Sequence, residues 1–430
     1  MTDMPRPSPT LRDVLRNSHF TKLLMGQFIS QLGDGLINLS LIIMINRLLG
    51  QTGAEAAIGI LLICMTAPRV IIGLLAGVYV DRLDRKRLMI VSDLARGTMV
   101  LACLLVRRPA DVWIYYVSAA LMAAIGSVFG PAKDASLPHL VNRDQLLVAN
   151  SLSQTSFIIA LTMGSALAGV LMGAFESPAS AIVFDALSFF VSAAFIITLP
   201  IPHHAPEQAL DQSAQQVWRE LKEGLSFVAH QRVLVGTMIG FAITMLGAGA
   251  TNVLFVPFLV NDLHMSETYL GFVDLTQMAG MVLVNLFIAR LAARWTPAQI
   301  VGVGIIGLGL SIAATGWVRT AWALFPLSIL WGIFLAPVEA SANTIMQSVP
   351  DRIRGRTLSA VHTVIGTTNV ASMALAGAAG AAIGARSTFI AGGLIAALGG
   401  VLAWLLMRER SLTAEFAPER VAIATDDDRT

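Results

Sequence analysis

Apolar stretches of about 20 residues, each long enough to cross the hydrocarbon of a bilayer as a helix, recur along nearly the whole of this 430-residue chain. Lipid offers the backbone no hydrogen-bond partner, so such stretches satisfy their own amides only as helices or in a closed barrel. Twelve spans can be drawn, at about 20–48, 56–80, 88–106, 112–132, 145–175, 181–200, 233–260, 268–292, 298–317, 322–347, 357–383 and 387–407. The two longest must tilt or include turns outside the membrane. Charged residues make up 13% of the chain, where soluble domains carry roughly 25%. The expected class is therefore an all-α membrane protein. The first twenty or so residues are polar and lead straight into a full-length span, so no cleavable signal is expected.

The basic residues set an orientation. With both termini cytoplasmic, 22 of the 29 Lys and Arg fall inside, five fall outside (Arg47, Arg107, Arg108, Arg319 and Arg386), and Arg69 and Arg96 lie within spans. That asymmetry satisfies the positive-inside rule. It also accounts for the basic residues without a nucleic-acid partner, as the net charge is only +2. Cys64 and Cys103 both fall within spans, which argues against a disulfide framework or a zinc site.

Pro200, Pro202 and Pro206 end the sixth span, and a polar stretch follows. Within it Trp218, Leu221, Leu225 and Val228 recur at helical spacing beside Arg219, Glu220, Lys222 and Glu223, the pattern of an interfacial amphipathic helix. The expected organisation is a cytoplasmic segment at 1–19, a six-helix bundle at 20–200, a cytoplasmic linker at 201–232, a second six-helix bundle at 233–407 and a cytoplasmic tail at 408–430. Ala166-Leu-Ala-Gly169 returns as Ala374-Leu-Ala-Gly377, and the same shift carries Val141 to Val349 and Ser151 to Ser359. A parallel duplication of this kind puts the substrate site between the halves, near the bilayer midplane.

The first span holds Gln27, Gln31, Asp34 and Asn38, whose spacing confines them to roughly a 60° arc of a helix. Four polar side chains facing lipid would be severely unfavourable, so this face lines a protein interior or a water-filled cavity. Asp34 sits about halfway along. A carboxylate at that depth costs roughly 2.5–3.5 kcal/mol even on the lenient insertion scale. A bound proton relieves that cost, which suits a reversible proton carrier. A structural acid held by a neighbouring base is the alternative. Arg69, after Pro68 in the second span, is the expected base; it could instead pair elsewhere or pin the bend. Glu339, Asn343 and Gln347 form a second, weaker stripe, and Asp274, Gln277 and Asn285 a third. Each is a candidate for substrate or proton contact, with Glu339 second to Asp34 as the protonated group; Asp274, like Asp185 in the sixth span, could instead lie near the outer surface and be merely hydrated.

The turn from Asp81 to Arg87 places six charges in seven residues between two apolar runs, so it must be aqueous. Gly77, Asp81, Arg82, Arg85 and Lys86 resemble the signature Gly-x-x-x-Asp-Arg-x-x-Arg-Lys/Arg of the major facilitator superfamily, with Asp84 where the general pattern has Gly. The resemblance implies twelve transmembrane helices in two pseudo-symmetric six-helix bundles. It also implies that the acid at Asp81 faces the start of helix 11, near the turn Asp351–Arg356. Asp93 and Arg96, three residues apart on one helix face, are expected one or two turns inside the membrane. With Asp81 and Arg85 they would form an inner gate.

Gly33-Asp-Gly35, Asp81–Arg85, Ser92–Arg96 and Asp185–Ser188 together resemble the macrolide- and siderophore-exporter branch of that superfamily. Gly164–Gly169 matches its antiporter pattern in reduced form, with Ser165 in place of Pro and Ala168 in place of Gly. The resemblance implies a secondary transporter in the bacterial inner membrane that exports small amphiphilic molecules by alternating access, driven by protons. An importer or lysophospholipid flippase on the same fold, or a sensor that transports nothing, remains the alternative. No phosphate loop or metal-ligand spacing occurs, so the expected partners are a small-molecule substrate, protons and the lipid bilayer, with no cofactor, ATP site or catalytic residue.

Overall fold

A computed structural model describes residues 11–50, 53–80, 83–174, 179–202 and 214–407. Asp81 and Arg82 of the signature turn, the linker residues 203–213 and the tail 408–430 lie outside this set. The described residues are almost wholly helical and contain no strand. The main helices are α1 (Ser18–Leu49), α2 (Ala54–Val80), α3 (Arg85–Leu101), α4 (Trp113–Ser136), α5 (Leu146–Ala174), α6 (Ala179–Ile197) and α7 (Ala214–His230). They continue with α8 (Arg232–Pro257), α9 (Thr268–Asn285), α10 (Pro297–Thr315), α11 (Leu324–Gln347) and α12 (Asp351–Met407). Gly77 falls within α2.

Ten stretches among the described residues are long and apolar enough to cross a membrane. The difference from twelve arises at two places. Helix α9 is outside the ten, and Asp274, Gln277 and Asn285 lower its hydropathy. Helix α12 is counted once, although Gly384 breaks it with φ 78° and ψ 161°. A side chain is strongly disfavoured at that backbone conformation, so glycine is what allows the chain to reverse there.

The chain divides into two compact units. The first comprises residues 1–48, 64–212 and 267–271; the second comprises 49–63, 213–266 and 272–430.

In the first unit, Asp84 caps α3 by accepting a hydrogen bond from the backbone N–H of Arg87 at 2.9 Å. The basic residues that follow reach the ends of neighbouring helices. Arg85 donates to the carbonyl of Ala135 at 3.1 Å, in the last turn of α4, and Lys86 to that of Leu199 at 2.7 Å, just past α6. Cations are favoured at these carbonyl ends by the helix dipole. Leu23, Met89, Phe129, Ala132, Ile196 and Leu199 form the packed core beneath. Helices α1 and α5 cross closely: a Cβ on Gly164 would lie 2.8 Å from the amide nitrogen of Leu36. Ser165, standing where the antiporter pattern has proline, donates to the carbonyl of Gly35 at 3.4 Å.

The second unit has an apolar core drawn from α7, α8, α10, α11 and α12, with Val233, Leu234, Val301, Ile305, Val338 and Ile345 at its centre. Helix α10 begins with a reciprocal capping box between Thr296 and Gln299. On α7, Leu221 and Val228 are buried and Trp218 is exposed. Glu223 on the same helix pairs with Arg356 of α12 at 2.6 Å. In both units large apolar side chains stand exposed, among them Leu121, Leu187, Leu398 and Leu405. A surface of that kind suits hydrocarbon rather than water.

Candidate functional site in the first unit

The polar arc of α1 opens onto a cavity of about 420 Å³, within the size range of small-molecule sites. Gln27, Gln31 and Asp34 line it together with Arg69 of α2, Arg96 of α3, Ser127 and Lys133 of α4 and Gln154 of α5. Gln31 Nε2 donates to Gln27 Oε1 at 3.5 Å. Asn38, one turn beyond Asp34, does not line this cavity.

Asp34 is held by Arg96, not Arg69. Arg96 Nη2 donates to both Asp34 oxygens, at 2.7 and 2.9 Å. The guanidinium also lies 4.1 Å from the ring centroid of Phe189 on α6, a cation–π contact in a desolvated setting. The expected pairing with Arg69 rested on similar depth, but Arg69 makes no hydrogen bond among the described residues. It lines the cavity and reaches Asp34 only through its charge.

The expected inner gate turns on Asp81, which lies outside the described residues. Arg96 lies eleven residues into α3, roughly 16 Å along the helix from Arg85 at 1.5 Å per residue. Its partner is Asp34 on α1, while Arg85 at the helix start binds a carbonyl. Asp93 is fully buried and neither carboxylate oxygen meets a hydrogen-bond donor.

Of the two readings of Asp185, hydration near the surface fails: it is fully buried, its oxygens also without a donor. It faces the backbone of α1 directly beside Asp34. A Cβ on Gly33 would fall on the Ser188 hydroxyl and lie 2.5 Å from Asp185 Oδ1. Sequence spacing gave no sign of this meeting, because α1 and α6 are about 150 residues apart. The Gly33-Asp34 dipeptide and the Asp185–Ser188 motif were its only traces. The site thus gathers three acids and two arginines from four helices.

The remaining candidates lie in the second unit. Glu339, Asn343 and Gln347 are exposed on one face of α11, whose opposite side supplies Val338, Ile345 and Met346 to the core. Asp274 on α9 is half-buried. No group of His, Cys, Asp and Glu among the described residues is arranged to hold a metal ion.

The family model described as transmembrane secretion effector, a branch of the major facilitator superfamily, matches residues 13–424. The chain belongs to that family. Its members and structural neighbours are membrane transporters rather than enzymes. Among its relatives, the multidrug efflux pump Tap of Mycobacterium tuberculosis is 26% identical, covering 92% of this chain and 95% of Tap. The macrolide efflux protein A of Streptococcus pyogenes is 23% identical, over 69% of this chain and 72% of its own length. A solved bacterial homologue of the human lysosomal transporter Spinster superposes with a TM-score of 0.70 at 13% identity, covering 94% of this chain and 99% of the other. That likeness establishes a shared fold. The chain is thus a multi-pass membrane transporter.

Proposed function

We propose that this protein exports small amphiphilic compounds, of the drug or macrolide kind, across the bacterial inner membrane in exchange for protons. The observation that carries the reading is the Asp34–Arg96 pair at the edge of the cavity. A proton and the Arg96 guanidinium compete for the same carboxylate, so protonation of Asp34 breaks the pair and frees a buried cation that must find a new partner. Gln27, Gln31 and Ser30 offer hydrogen bonds around it without fixing one cargo geometry. The efflux relatives, Tap and macrolide efflux protein A, support the outward direction.

With both termini cytoplasmic, the basic turns lie inside, and the Lys133 end of the cavity faces the cytoplasm, where cargo would enter. Each proton returning through the membrane gains about 2.3 kcal/mol per 100 mV, so coupling needs no ATP. Alternating access between bundles at 20–200 and 233–407 would expose Asp34 to each side in turn. The signature turn, through Asp81, Arg82, Arg85 and Lys86, would hold the inner ends of the first bundle during the outward phase. Glu339 and Asp274 would contact cargo rather than carry protons.

Inverted membrane vesicles test the reading. A pH gradient is established, and ethidium, erythromycin and a ferric siderophore are added separately. Collapse of the gradient on adding any of them, absent in vesicles lacking the protein, is expected. Uptake of cargo into inverted vesicles with no movement of protons would reject proton coupling.

A further inference from the structure

Asp185 is the buried acid that the pairing of Asp34 with Arg96 leaves unused. It is 0% exposed, and neither of its oxygens accepts a hydrogen bond. An ionised carboxylate in that setting is among the most costly groups a protein can bury, whereas the neutral acid is tolerable. It also sits one helical turn before Phe189, on whose ring the Arg96 guanidinium rests. Arg96 Nε is itself buried with no acceptor. The arginine therefore has a free donor, and an acid without a donor lies beside the residue it already binds.

We propose that Asp185 is a second proton carrier, and that Arg96 passes from Asp34 to Asp185 when Asp34 takes up a proton. This deepens the proton-coupled reading above and rests on it for its place in a transport cycle. In the state described, Asp34 is ionised and paired, and Asp185 holds a proton. A proton arriving through the cavity adds to an Asp34 oxygen, and the neutral acid no longer holds the guanidinium. Arg96 turns on the Phe189 face toward Asp185, whose O–H bond breaks as its proton leaves by the cavity that reaches Arg96. One proton enters, one leaves, and Arg96 keeps its charge throughout, so the cluster never carries an added charge in the membrane interior.

The other titratable groups facing this cluster are Arg69 on α2, Asp93 on α3, Cys103 in the turn just past α3, Tyr115 on α4 beside Cys103, and Lys133 at the cavity's edge. Asp93 shares the helix of Arg96 and is the competing carrier. Asp185 is favoured because its Oδ1 abuts Gly33, the residue preceding Asp34, so that one arginine can reach both acids without leaving its ring.

Infrared absorption of protonated carboxyls, measured on the full-length protein in liposomes at neutral pH, tests this without any cargo. A carboxylic-acid band present in the wild type and lost in Asp185→Asn is expected. The same band should be lost in Asp34→Asn, because neutralising Asp34 releases Arg96 to Asp185. It should return in Asp34→Asn combined with Arg96→Gln, where no arginine remains to displace the proton. If Asp185→Asn fails to fold, Asp185→Glu assigns the band by shifting it. A band removed by Asp93→Asn and untouched at position 185 would overturn the assignment, as would a band that persists unchanged in Asp34→Asn. Ethidium export is read on the same preparations. A wild type that shows the band transfer yet moves no ethidium against a proton gradient would sink the export reading and leave the exchange standing.

Discussion

The two units differ in what they bury. Every fully buried charged-type side chain among the described residues, namely Asp93, Arg96, Asp185 and Glu267, belongs to the first unit. The second unit buries only hydroxyls among its polar side chains, such as Thr237 and Thr244, which donate to carbonyls one turn back within their own helix. Those hydroxyls need no partner from another helix. A buried ion pair does, and the Asp34–Arg96 pair, with the guanidinium on the Phe189 ring, ties α1, α3 and α6 together. Two units of similar helical make-up thus share an apolar core, and the first adds a charged cluster with an adjoining cavity. We read the first unit as the one that handles protons and the second as a scaffold with an exposed polar stripe on α11.

The largest expected break in this contrast is Arg96→Ala. Removing one partner of a buried pair leaves the other charge uncompensated, at a cost of about 3–5 kcal/mol. The thermal unfolding midpoint in detergent should fall sharply. Adding Asp34→Asn to that variant should recover part of the loss, and full additivity of the two substitutions would show that they do not interact.

Gly33→Ala comes next. Its Cβ must displace Ser188 and Asp185, and overpacking of this kind costs about 1–3 kcal/mol. A variant as stable as the wild type would mean that α1 and α6 are not in the contact described. Lys86→Ala removes the charged donor to the Leu199 carbonyl, a partly exposed bond worth about 1 kcal/mol. The smallest effect should come from Glu339→Gln, which changes an exposed group on α11 and should leave the unfolding midpoint where it was.

Much of this was readable along the chain, because the deciding interactions are local. A run of twenty apolar residues states its own helix, and the spacing of Gln27, Gln31 and Asp34 puts them on one face before any neighbour is known. The capping of α3 by Asp84 is equally local. What could not be read was depth and partnership. Arg69 and Arg96 are both single arginines in apolar helices, and distance along the chain from a charged turn ranked them wrongly for Asp34. The rotation of α3 about its axis decides the matter, and that is fixed by packing on α4 and α6. Asp185 was misplaced for the same reason: its distance from a helix end says nothing about whether another helix covers it. The break between the last two helices, by contrast, was legible: the spans drawn at 357–383 and 387–407 part at Gly384, where φ and ψ leave the helix.

The central claim is that proton coupling resides in the Asp34–Arg96 pair. It is tested most directly by counting protons exchanged per ethidium moved in proteoliposomes, for Asp34→Asn beside Glu339→Gln. Loss of proton exchange in Asp34→Asn, with ethidium binding retained and with Glu339→Gln still coupled, is the predicted result. Coupled exchange surviving in Asp34→Asn, or vanishing in Glu339→Gln alone, would contradict the account and move the proton site to the second unit.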